Sequence, residues 1–213
     1  MSIRLCLVRR SLVRLVKDMY VVVLGLGFTF IVRDLLLTDY SHFTAVTKLL
    51  YFVGLYYFLS YDWIAYTLLI TAYPYSITES TGLVYQARFY ADLTHLLLKA
   101  GLIFLALQTL DAATLAVAAL LFAGWHVAIV FWHLLARVEY DTYRVSWLSH
   151  GVMLVCYLAF ATLLVAFDGF VSSAVDRFLS VLVLVGFAVG YATYRKRELL
   201  SQLRSERMHK IAA

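Results

Sequence analysis

Residues 47–74 read TKLLYFVGLYYFLSYDWIAYTLLITAYP, a run almost wholly apolar or aromatic that carries one carboxylate, Asp62, well inside it. At 1.5 Å per residue the run is long enough to cross the ~30 Å hydrocarbon core of a bilayer. A charge at that depth costs about 2.5–3.5 kcal/mol on insertion scales, so an Asp retained there marks a site or a paired partner.

The rest of the chain agrees with that reading. Its 213 residues are 63% hydrophobic and 15% charged, with a single proline, and the mean hydropathy is +0.84. A soluble domain needs far more polar surface. The composition therefore predicts an all-α, polytopic integral membrane protein of six transmembrane helices, at 19–37, 46–73, 93–110, 113–136, 146–167 and 171–194. Little chain remains for a soluble domain.

Before the first span, residues 3–17 place Leu5, Val8, Leu12 and Leu15 at helical spacing, with Arg9, Arg10, Arg14 and Lys17 between them. This predicts an interfacial amphipathic helix over 1–18, lying on anionic headgroups. The following run reaches Arg33-Asp34 without a small-residue cleavage pattern, so the segment is expected to be retained. After the transmembrane domain, 19–194, residues 195–213 predict a basic cytoplasmic helical tail in which Leu199, Leu200 and Leu203 form a narrow apolar stripe. That tail reads as a polybasic stop signal or as a short docking helix.

Basic residues set the orientation. With both termini cytoplasmic, the cytoplasmic segments hold 14 of the 18 Lys and Arg, including Arg88, Arg137 and Arg144. The opposite side holds Arg33, Lys48 and Arg177, and Lys99 falls within a span. Such asymmetry is the positive-inside pattern. The net charge of +5 thus reads as topology and lipid contact; nucleic acid is excluded as a partner because no aromatics interleave the basic tail. The longest link, Tyr75 to Ala91, is polar and aromatic and is expected to offer a gating or partner-binding surface on the cytoplasmic face.

Antiparallel spans bring several polar groups to one depth. Asp62 lies ~12–18 Å, Lys99 ~10 Å and His126 ~15 Å from the cytoplasmic ends of their predicted spans. These three are expected to form an intramembrane polar centre, with Tyr61 and Tyr57 near Asp62 lining a hydrated path. The plainer reading is an Asp–Lys pair that only fixes helix packing. Nearer the cytoplasm, His95, His133 and His150, with Asp92, Glu139 and Asp141 close in sequence, could ligate a metal or sense pH. No HExxH or CxxC motif accompanies them, Cys6 and Cys156 suggest no disulfide, and no cofactor is expected. His126 and His133 share one helix face two turns apart, which admits a haem reading, without a c-type attachment motif. In the last span Gly186 and Gly190 form a GxxxG that permits close helix approach.

Phe58, Ser60 and Asp62 follow the order of the Phe-Ser-Asp triplet in endolysosomal and prokaryotic potassium channels. Here Leu59 and Tyr61 interrupt it, no Arg precedes it and it lies in the second span, so that assignment is not made. The function read first is non-enzymatic: an oligomeric channel, pore or transport-type subunit in a prokaryotic inner membrane, as a homo-oligomer or within a larger membrane complex. A membrane scaffold docking a cytosolic protein comes second, and a haem- or metal-binding redox protein third.

Overall fold

The computed structural model describes residues 3–75, 82–140, 147–167 and 171–212, with side chains described over 12–75, 83–140, 147–167 and 171–197. Six helices follow one another: α1 (Ile3–Leu37), α2 (His42–Ala72), α3 (Gly82–Ala106), α4 (Ala112–Glu139), α5 (Trp147–Ala166) and α6 (Ala174–Ala212). Among the described residues each contains a stretch long and apolar enough to cross a membrane. The architecture is all-helical, as the composition predicts.

Burial is inverted relative to a soluble bundle. Large apolar side chains face outward, Leu97 at 72% exposure and Val155 at 66%, while Lys99, Arg88 and Asp92 are fully buried. Hydrocarbon outside and polar groups inside is the arrangement a bilayer demands. Cys6, Arg144, Asp141 and the stripe Leu199, Leu200 and Leu203 lie outside the described side chains.

Two helices differ from expectation in extent. α1 runs unbroken through 35 residues, ~52 Å by helical rise. From Leu12 onward it belongs to an apolar stretch, with Val16 and Tyr20 buried and Lys17 donating to the Thr71 hydroxyl at 3.1 Å. The second half of the basic segment is thus packed on α2. α3 begins at Gly82, eleven residues before its predicted start at 93, so most of the link from Tyr75 to Ala91 is helix rather than loop. The physical reason is pairing. Arg88 and Asp92, which depress hydropathy there, are buried and partnered by Glu139 and Tyr75 respectively, so they sit inside a span at lower cost than free charges.

Short caps start the helices at the end opposite Arg88. The Ser41 side chain accepts from Thr44 N at 3.4 Å, and Asp111 accepts from Thr114 N at 2.8 Å. Ser173 and Asp176 cap each other at the start of α6, with N–H to side-chain distances of 2.9 and 3.1 Å. Each satisfies a backbone donor that the first helical turn leaves open.

α4 packs along α3 and α5, α2 packs along α6, and α1 lies across α2 and α3. Gly54 is where α2 and α6 meet: a methyl there would meet Val185, 2.9 Å from its Cγ2 and 3.1 Å from its Cβ. Gly186 and Gly190 have open space around them, so the α6 GxxxG face packs on none of the described residues. Gly54→Ala is expected to cost about 1–3 kcal/mol of unfolding free energy through overpacking. Gly190→Ala should stay within about 0.5 kcal/mol. SDS-titration unfolding of the two variants measures both.

Candidate functional site

Asp62 on α2 and Lys99 on α3 form a direct ion pair, with Lys99 fully buried and Asp62 nearly so. α1 supplies the third member: the Tyr20 hydroxyl donates to the same Asp62 Oδ2 at 2.7 Å, and the Lys99 ammonium lies 3.9 Å from the Tyr20 ring centroid. One aromatic ring therefore meets both charges, its hydroxyl binding the anion and its π-face the cation. Tyr20 was not predicted. It is one of several aromatic residues on the first span, and only the packing of α1 across α2 and α3 brings it to the pair.

His126 is not hydrogen-bonded to that pair among the described residues. Its ring meets His150 of α5, the two Nδ1 atoms 3.3 Å apart with one ring donating. The Tyr191 hydroxyl of α6 lies 3.3 Å from His150 Nε2, and the His133 ring centroid is 5.6 Å from that of His150. Trp125 packs beside this group, 4.8 Å from His126 and 5.7 Å from Tyr191 by ring centroids. The expected single centre is thus two adjoining clusters, an Asp–Lys–Tyr knot and a His–Tyr–Trp layer.

A cavity of about 30 Å³ joins them. It is lined by Tyr20, Tyr61 and Asp62 on one side and by His95, His133 and Arg195 on the other. This volume admits one or two waters and no macrocycle. His95 Nε2 is buried without a hydrogen-bond partner among the described residues, the circumstance in which an ordered water is favoured. Among the described residues no three His, Cys, Asp or Glu side chains are gathered so as to hold a metal ion.

A further polar knot closes the end of the bundle where α3 starts and α4 ends. Arg88 is fully buried and pairs with Glu139 through Nη1 while Nη2 donates to the Tyr73 carbonyl. The guanidinium also lies 4.3 Å from the Trp132 ring centroid. Tyr140 donates to the Pro74 carbonyl and Tyr75 to Asp92. Burial first, then the neighbouring Asp92, pushes the Tyr75 phenol above its ordinary range, so it stands as a neutral donor.

On the other side of Asp62 the interior is apolar. Leu55, Phe58 and Leu59 of α2 meet Phe122 of α4, the Phe58 and Phe122 rings standing edge-on at 5.3 Å. Beyond that layer, ~21 Å along α2 from Asp62, Lys48 pairs with Asp34 at 3.0 Å and donates to Tyr40 at 2.7 Å. Compared with known proteins, the chain matches no family model, no curated protein and no solved structure.

Proposed function

We propose that this protein is a proton-coupled, transport-type membrane subunit whose working group is the Asp62–Lys99–Tyr20 knot. The observation that carries the reading is a buried ion pair whose Asp62 borders a water-sized cavity, the other walls of which hold protonatable side chains. Charges within a span are costly, and proton relays are a use that offsets the cost. A cavity of about 30 Å³ suits a proton passed through water and is too small for a hydrated alkali ion. The Phe58–Phe122 layer supports a carrier-like cycle over an open pore, because it separates the knot from the Lys48 end. Tyr61 and His133 serve as relay groups on the cavity wall, and His126 with His150 as the next layer.

The finer placement belongs to the same proposal. Both termini face the cytoplasm of a prokaryotic inner membrane, the first residues of α1 rest among anionic headgroups, and copies of the chain associate with one another or with a larger membrane complex. The basic-residue asymmetry supports the orientation, and the open Gly186–Gly190 face supports association.

Reconstitution into liposomes with an internal pH dye, driven by a potassium diffusion potential, tests the reading. The wild type is expected to acidify or alkalinise the lumen according to the sign of the potential. Asp62→Asn, eluting as the wild type does on size exclusion, should lose at least tenfold in rate. Undiminished flux in that variant, or none in the wild type, sinks the proposal.

A further inference from the structure

A second cavity lies at the other end of the bundle, between the start of α2, the link after α3 and the start of α6. It measures about 130 Å³, close to the ~150 Å³ that holds a benzene-sized guest. Its apolar wall is Phe43, Leu107 and Leu110, and its polar wall is Lys48, Thr109 and Arg177. The two cations differ in what they have left to give. The ammonium of Lys48 is fully engaged, by Asp34 at 3.0 Å, Tyr40 at 2.7 Å and the Leu107 carbonyl at 3.4 Å. Among the described residues Arg177 has no carboxylate partner, and its guanidinium donates through Nε to the Ser173 carbonyl at 3.5 Å.

The described acidic groups at this end have other partners or lie outside the lining. Asp34 is held by Lys48, Tyr40 and Thr38. Asp176 is held by Ser172 and Ser173, and Asp111 caps α4. Asp39 is exposed and does not line the cavity. Among the described residues no carboxylate lines the cavity, and Arg177 is the lining cation without a carboxylate partner. Thr109 and the paired Lys48 line the same cavity. A fork of guanidinium donors with a hydroxyl nearby matches a tetrahedral oxyanion.

We infer that this outer cavity is a binding site for a phosphate group, held by the Arg177 guanidinium and the Thr109 hydroxyl over the Lys48–Asp34 pair. The phosphate has two chemical sources. Thr109 and Phe43 are exposed at the rim, and the cavity lies near the helix starts, the depth of lipid headgroups. A phospholipid phosphodiester and free inorganic phosphate present the same oxygens. The site stands apart from the proton-coupled centre, ~21 Å along α2, and does not depend on that reading.

The test is the thermal unfolding midpoint of the purified full-length protein, in two arms. In detergent, inorganic phosphate is titrated against chloride at equal ionic strength. In nanodiscs, phosphatidylcholine alone is compared with phosphatidylcholine containing graded phosphatidylglycerol. Binding to the folded state raises the midpoint saturably. A saturable rise in the first arm identifies free phosphate, and a rise confined to the second identifies a headgroup. In either case Arg177→Gln should need at least tenfold more ligand for the half-maximal effect, and Thr109→Val a few-fold more. Arg177 is only partly buried near the start of α6, so its replacement is expected to leave the fold in place. No rise beyond chloride in either arm, or a rise that Arg177→Gln leaves unchanged, overturns the inference.

Discussion

Lys99→Met is expected to lower the unfolding free energy by about 3–5 kcal/mol, because it strands the Asp62 carboxylate in the bundle interior without its counter-charge. The side chain is fully buried, and the one or two neutral waters the adjoining cavity admits do not replace a lost charge. Tyr20 still donates to Asp62 at 2.7 Å, but one neutral donor does not offset a full charge in low dielectric. The double variant Asp62→Asn/Lys99→Met should recover most of the loss, since neutral groups of similar volume remove the desolvation term together with the attraction. SDS-titration unfolding of the four-member cycle reads this coupling. If Lys99→Met costs less than about 1 kcal/mol, or the two losses simply add, the pair is not the enclosed unit described. Stability and flux then separate: the double variant should fold well and still fail to move protons.

Arg88→Ala should cost a similar 3–5 kcal/mol by a different route. The guanidinium holds Glu139 of α4, the Tyr73 carbonyl after α2 and the face of Trp132 at once. Removing it leaves the carboxylate without its cation and the carbonyl without that donor. It should also loosen the junction where α2 ends, α3 begins and α4 ends. Hydrogen exchange should accelerate over residues 83–92 and 132–139, with the Lys48 end unaffected. Arg88→Lys is expected to recover less than half of the loss, because an ammonium lacks the planar fork that serves two acceptors while stacking on an indole. Full rescue by lysine would show that charge alone, and not the shape of the fork, holds this junction.

Some of this was legible in the sequence and some was not, for separable reasons. Six apolar runs fix six helices, since a bilayer leaves the backbone few other ways to satisfy its hydrogen bonds, and all six recur as apolar stretches within a few residues of their expected bounds except at the starts of α1 and α3. Those two departures share a cause. Hydropathy counts each charge as if it stood alone, whereas Arg88 and Asp92 of α3 are paired, and Lys17 of α1 reaches Thr71.

Depth along antiparallel helices was likewise enough to bring Asp62 and Lys99 to one level. Rotation about each helix axis was not, because a helix apolar on nearly every side carries no periodic signal of which face is inward. Tertiary packing therefore decided that Tyr20 joins Asp62 and that His126 turns to His150. It also decided that Lys48 is neutralised while Arg177 is left facing a cavity. Residue type and spacing told which charges lie in the membrane; only the relative rotation of six packed helices could tell which of them touch.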